Sequence, residues 1–226
     1  MSRLDVATSD GLMPAYHRRA TQGTPDRPAA VLIHEGFGLN SHIESVADRL
    51  ADLGHPVIAP HLFYRATRQA VAYDDVPRAI ELCRQTEPRQ IVSDIDAAAG
   101  IVGRPGQPVV SLGFCFGGAA SYIAAALCSR VSRSVAYYPV SILSYWDAVG
   151  PPRVPLLVFF GDADAFLGSK ERVWLAALDS DPVLRMRVHV YPSAGHAFFN
   201  DARPELYVHE PALTSWQLAT AFLAGQ

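Results

Sequence analysis

Residues 113–118, Gly-Phe-Cys-Phe-Gly-Gly, combine a thiol with the glycine spacing of a sharp turn between a β-prone run, 108–112, and a helix-prone run, 119–127. Such a turn strains its central residue and crowds the neighbours, so glycines two positions to either side let the backbones pass. Cys115 at the tip would project its sulfur into a cleft above the N-terminus of the following helix. That helix end favours negative charge, which suits a thiolate and an oxyanion forming beside it. The chemistry predicted is nucleophilic attack on a carbonyl. A glycine-rich turn around an ordinary buried cysteine is the competing reading of so short a pattern, and partners elsewhere in the chain decide between them.

A cysteine nucleophile needs a base and a group that orients the base. Two such groups follow strand-like runs downstream. Leu156-Leu157-Val158-Phe159-Phe160 leads into Gly161-Asp162-Ala163-Asp164, where a carboxylate at a strand end can accept the second N–H of a histidine and set its tautomer. Asp164 is the candidate, because Gly-x-x-Asp leaves room for the turn, and Asp162 is left to cap or brace the loop. Val188-His189-Val190-Tyr191 then leads through Pro192-Ser193-Ala194-Gly195 to His196, the candidate base. His189 falls in a strand pattern, His209 in a helical one, and His17, His42, His55 and His61 near caps or turns. His34, at a strand end, is a candidate for a supporting position. The order Cys, Asp, His is that of α/β-hydrolase triads. With no histidine pair at metal-ligand spacing and no Cys-x-x-Cys, no metal is expected.

The elements that must position these groups alternate. After a hairpin of residues 4–8 and 15–19 around Ser9-Asp10-Gly11, strand candidates fall at 29–34, 57–59, 109–112, 134–138, 156–160 and 187–191. Helix candidates fall at 76–85, 90–102, 117–127, 169–178 and 205–223, with another begun by Ser41 as N-cap, Glu44 three residues on, and closed by Gly54. The alternation predicts an α/β fold: one domain over residues 1–226, a mostly parallel sheet with helices on both faces, and reactive groups on loops at the strands' C-terminal ends.

Composition sets the outer bounds. Half of the 226 residues are hydrophobic, and the net charge of -3 offers no electrostatic case for nucleic acid or an anionic membrane as partner. Three cysteines without paired spacing argue for a reducing compartment, with Cys83 and Cys128 as packing residues. The first residues lack an apolar leader, so a cytoplasmic location is expected. The uncharged stretch 105–129 is split by glycines into pieces too short to span a bilayer.

With these residues in view, the chain resembles the dienelactone hydrolase (carboxymethylenebutenolidase) family of the α/β-hydrolases. The likeness runs from Ile33-His34-Glu35-Gly36-Phe37-Gly38-Leu39-Asn40 through Ala59-Pro60-His61-Leu62-Phe63-Tyr64-Arg65, residues 113–118 and 161–164, to Ala194-Gly195-His196-Ala197-Phe198. The resemblance implies a cofactor-free hydrolase of a lactone or small ester, monomeric or homodimeric, acting through an acyl-enzyme. Cys115 would be its nucleophile, His196 its base and Asp164 the orienting carboxylate. It further implies that Glu35 faces the resting thiol and keeps it protonated, and that the amides of Phe37 and Phe116 form the oxyanion hole. The alternatives are a non-catalytic ligand-binding relative, an amidotransferase-like cysteine enzyme, and a carboxylesterase or thioesterase of unrelated substrate.

Substrate recognition is where the pattern departs from the family. Well-known members hold a substrate carboxylate with arginines, one of them shortly after the histidine, yet here that loop reads Ala197-Phe198-Phe199-Asn200-Asp201. Arg65, Arg68 and Arg78 are candidates to supply the charge, and Tyr64, Tyr137, Tyr138, Trp146 and Phe198 to line an aromatic pocket. The polar segment 65–75 is expected to form a mobile rim.

Overall fold

Alternating sides of a fully buried β3 (Ala29–Ile33) show how the sheet is built: Val31 and Ile33 belong to one apolar cluster, Ala30 and Leu32 to another on the opposite face. A strand buried on both faces belongs in the middle of a helix-covered sheet. The computed structural model of the protein, which describes residues 2–21, 27–179 and 184–226, has that architecture. Its strands are β1 (Ser2–Thr8), β2 (Gly11–Arg18), β3, β4 (Val57–Pro60), β5 (Val109–Phe114), β6 (Val131–Tyr137), β7 (Leu156–Gly161) and β8 (Met186–Tyr191). The helices are α1 (Ser41–Asp52), α2 (Val76–Gln85), α3 (Pro88–Val102), α4 (Phe116–Leu127), α5 (Ile142–Val149), α6 (Ser169–Asp179) and α7 (His209–Leu223).

Among the described residues these strands form an 8-stranded sheet in the order β1-β2-β4-β3-β5-β6-β7-β8. The β1–β2 hairpin is antiparallel, with Thr8 opposite Gly11, and β2 joins β4 antiparallel; every later pairing is parallel. This is an α/β-hydrolase fold. Ile43, Val46 and Leu50 of α1 pack with Ala219 and Leu223 of α7 on one face. Ile91, Ile95 and Val102 of α3 pack with Ile123 of α4 and Leu175 of α6 on the other.

Strands β2 and β6 and helix α3 begin two to four residues before the expected positions, and three further differences have a local cause. Asn40, not Ser41, caps α1: its backbone is extended and its side-chain oxygen accepts from the Ile43 amide at 3.2 Å, a bond of about 1 kcal/mol. The last helix begins at His209, because residues 203–207 turn instead, with the Leu206 and Tyr207 amides both bonded to the Arg203 carbonyl. Helix α5 carries only one fully buried residue, Ile142, and so offers little of the apolar periodicity that marks a helix in sequence.

Segment 65–75 is a tied strap. Arg65 binds Asp10 and Asp94, Arg68 binds Asp5, and the Val71 amide donates to the Phe37 carbonyl at 2.8 Å. None of the described helices is long and apolar enough to cross a membrane.

Candidate active site

Cys115 sits between β5 and α4 with φ 56 and ψ -113, a left-handed conformation that costs a non-glycine residue about 1–3 kcal/mol. The glycines around it have no room for a side chain. A Cβ on Gly113 would lie 2.0 Å from the Gly117 carbonyl oxygen, one on Gly117 2.3 Å from that of Ile33, and one on Gly118 2.5 Å from that of Tyr137. Strand β3, strand β6 and the start of α4 therefore touch through backbone. The amide of Cys115 donates to Tyr137, and its carbonyl accepts from Ala119, holding the strained turn.

All five non-glycine residues with positive φ among the described residues lie beyond the C-terminal ends of three strands: Cys115 after β5, Tyr138 and Ser141 after β6, Ser193 and Ala197 after β8. Strain is thus concentrated on one edge of the sheet, a distribution that points to a functional site.

His196 reaches back from the loop after β8. Its Nδ1–H donates to Asp164 Oδ2 at 2.8 Å, while Oδ1 of the same carboxylate accepts from the Phe166 amide at 2.8 Å. Asp162 instead braces the turn, accepting from the Ser193 amide at 2.6 Å. Gly161 lets the two loops meet, since a Cβ there would lie 2.0 Å from the Ala194 carbonyl oxygen. Arg172 donates to the carbonyls of Asp162, Asp164 and Leu167, pinning the acid's loop.

The other ring nitrogen, Nε2, is buried and completes no hydrogen bond of ordinary geometry. Burial alone would lower the pKa of His196, but negative charge on the Cys115 sulfur, when it forms, and the bond to Asp164 overcome that and hold it well above its usual value. The sulfur and the ring therefore act on each other as a pair. Tyr138 stands edge-on to the ring at 5.0 Å, and Phe166, largely exposed, does so at 4.7 Å.

Glu35 is only 2 % exposed, and both its oxygens accept hydrogen bonds. Tyr138 Oη donates to Oε1 at 3.3 Å and Asn200 Nδ2 donates to Oε2 at 2.7 Å. Both donors to Glu35 are neutral groups. Burial first, then the charges of Glu35 and Cys115, push the Tyr138 phenol far up, so it stays protonated and donates. Asn200 also donates to Tyr73 Oη at 3.2 Å, and Asn40 does the same at 3.1 Å, tying the cap of α1 into the chain.

Phe37, half-buried, follows Glu35, and Phe116 opens α4, where the first-turn amides have no partner within the helix. Neither the Phe37 nor the Phe116 amide donates to another of the described residues. Two neutral histidines hold this side. His34 Nε2 accepts from the Leu62 amide and its Nδ1–H donates to the Glu35 carbonyl; His61 Nδ1 accepts from Leu39 and its Nε2–H donates to Thr67. Burial lowers their pKa values to about 3 and about 4. Cys83, on α2 behind Gly36, stays a thiol, because burial and then the Cys115 charge raise its pKa to about 12.

Five of the expected pocket residues are placed elsewhere. Arg65 is committed to Asp94 and Asp10, and Arg78 to Glu81 on an exposed helix turn. Tyr64 bonds Thr8 and Asp94 and lies under the Arg65 guanidinium. Tyr137 and Phe198 are fully buried within the aromatic layer between the sheet and α7. Tyr138, by contrast, touches both Glu35 and His196. Nothing local in the sequence distinguishes Tyr73, Phe166, Arg172 or Arg203. No group of three or more potential metal ligands occurs among the described residues. A cavity of about 210 Å³ lined by Arg27, Leu53, His55 and Gln217 shares no residue with this site.

A family model described as the dienelactone hydrolase family matches residues 13–226. The provisionally assigned carboxymethylenebutenolidase of Methylorubrum extorquens is 30% identical over 230 residues, covering 94% of this chain and 76% of its own. That of Synechocystis is 30% identical over 208 residues, 84% of this chain and 82% of its own. Among solved structures, the provisionally assigned dienelactone hydrolase of Klebsiella pneumoniae is 27% identical with a TM-score of 0.83, covering 100% of this chain and 98% of that one. A dienelactone hydrolase-like promiscuous phosphotriesterase from metagenomic libraries, 20% identical over 99% of this chain and 97% of its own, shares the fold with a TM-score of 0.82.

Proposed function

Since the chain belongs to the dienelactone hydrolase family and is a carboxylic ester hydrolase of that kind, we propose that it cleaves a lactone or small ester through a Cys115 acyl-enzyme, without a cofactor, as a single domain. The observation that carries this reading is the 2.8 Å bond of Asp164 to His196, a ring coupled electrostatically to Cys115 at the tip of a strained turn.

In the proposed cycle the Cys115 thiol gives its proton to His196 Nε2, and Asp164 stabilises the imidazolium. The thiolate adds to the ester carbonyl carbon. The resulting oxyanion is received by the amides of Phe37 and Phe116 at the N-terminus of α4, each donor contributing roughly 3 kcal/mol in the transition state. Collapse breaks the carbon–oxygen bond, and the leaving alkoxide takes the proton from His196; in a lactone it stays tethered to the acyl group. His196 then deprotonates a water, the hydroxide adds to the thioester carbon, and collapse returns the thiolate and the free acid. Glu35, held by Asn200 and Tyr138, is assigned the role the family resemblance implies, disfavouring a free thiolate before substrate arrives.

The test is hydrolysis of a panel of lactones and small aryl esters by the wild type and Cys115→Ala. We expect turnover that falls by at least roughly 10³-fold in the variant. Turnover that survives the substitution would refute the assignment.

A further inference from the structure

We propose that the enzyme selects esters and lactones whose acyl portion carries no negative charge, and that Asn200 is the residue that sets this preference. The inference rests on the reading of Cys115 as nucleophile and adds the substrate's charge to it.

Glu35 makes no ion pair among the described residues; its two oxygens are met by the Tyr138 hydroxyl and the Asn200 amide, both neutral. Asn200 is fully buried and cannot turn, because its Oδ1 accepts from the Ala202 amide at 3.1 Å while Nδ2 donates to Glu35 and Tyr73. The orientation of the amide is therefore set by the backbone, and a donor always faces the carboxylate. The site thus holds one carboxylate bonded to a histidine and a second with no cation against it.

The arginines around the cleft are engaged elsewhere. Arg65, Arg68 and Arg78 are paired with Asp94 and Asp10, with Asp5, and with Glu81. Arg172 spends its donors on three carbonyls of the acid's loop. Arg203 bonds Glu205 and spreads its charge over the rings of Phe37 and Tyr73, at 5.6 and 5.1 Å. A substrate carboxylate arriving beside Glu35 would meet a like charge in a poorly solvated site, with the nearby His196 and Arg203 already committed to Asp164 and Glu205. A neutral acyl group meets no such penalty.

The experiment pairs two readouts. In the first, kcat/KM is compared for matched aryl esters, propionate against hemisuccinate, in wild type and Asn200→Arg. Wild type should favour the neutral ester by at least about tenfold, and the variant should narrow or reverse that ratio. In the second, alkylation of the Cys115 peptide by iodoacetamide and by iodoacetate is followed by mass spectrometry, each rate normalised to that of 2-mercaptoethanol. This readout needs no turnover and is taken on the wild type, so it stands even if Asn200→Arg fails to fold. Stronger discrimination against iodoacetate than the free thiol shows supports the inference. Iodoacetate labelling as fast as iodoacetamide, or a wild-type preference for the hemisuccinate, would overturn it. Absence of hydrolysis with alkylation still discriminating would refute the ester-hydrolase chemistry at Cys115 while leaving the charge selection supported.

Discussion

Two sides of the cleft are built on different principles. The Cys115–His196–Asp164 side rests on strained turns at strand ends, where glycines at 113, 117, 118 and 161 let backbones touch and positive-φ residues aim the side chains. The Glu35 side rests on side-chain hydrogen bonds gathered from distant loops, running from Tyr138 and Asn200 through Tyr73 to the cap of α1. On the first side one wrong atom disturbs the backbone, whereas on the second the load is shared among several modest bonds. Substitutions should therefore be sharply costly on one side and graded on the other.

The largest effect is expected at Asp164. Asp164→Asn keeps the side chain's shape but presents an amide to His196 Nδ1, so kcat/KM should fall on the order of 10²–10⁴-fold, with the melting temperature little changed. Steady-state kinetics alongside thermal melts check this, and a loss of only a few-fold would mean that the acid is not part of the chemistry. Next comes Gly117→Ala, whose new Cβ would lie 2.3 Å from the Ile33 carbonyl oxygen and 2.5 Å from that of His34. It should cost at least about 3 kcal/mol in urea unfolding. A melt like the wild type's would show that the elbow tolerates side chains.

Acid sharpens the other side. The folded pKa values of His34 and His61, about 3 and about 4, lie below the ordinary value, so the unfolded chain takes up protons that the fold refuses. Their contribution to stability is intact above about pH 6.5 and is lost as pH falls toward those values, by about 1.4 kcal/mol per pH unit for each ring. Urea unfolding at pH 7 and pH 5 should show the loss, and His61→Gln should show less of it; an equal loss in the variant would assign the acid sensitivity elsewhere. The smallest effect is expected from Tyr73→Phe, which removes one acceptor from the shared chain and should cost about 1 kcal/mol of stability. Its kcat/KM should change far less than that of Asp164→Asn. A loss as deep as that one would break the contrast between the two sides.

The same contrast governs what could be read from the amino acids. The elbow announces itself because steric exclusion leaves glycine as the residue that fits, and the acid and the base each follow a recognisable strand. The α/β alternation and most strand positions were legible for the same reason, since buried parallel strands are short apolar runs bounded by turns. The hydrogen-bonded chain was not legible: Glu35 and Asn200 are 165 residues apart, and no local pattern brings an asparagine to a carboxylate. Arg65 and Arg78 were equally opaque, because whether an arginine meets a substrate or an aspartate depends on tertiary contacts. Tyr137 and Phe198 are buried in the aromatic layer, the commoner fate of aromatic residues, and Tyr64 is drawn into hydrogen bonds with Thr8 and Asp94.

The most direct test of the central claim, that Cys115 carries the acyl group, is mass spectrometry of the protein quenched with acid during turnover of a slowly hydrolysed aryl ester. The account predicts a single acyl adduct that maps to the peptide containing Cys115, accumulates before steady state and is absent from Cys115→Ala. Turnover with no adduct under rapid quenching, or an adduct that maps to another residue and persists in Cys115→Ala, would contradict it.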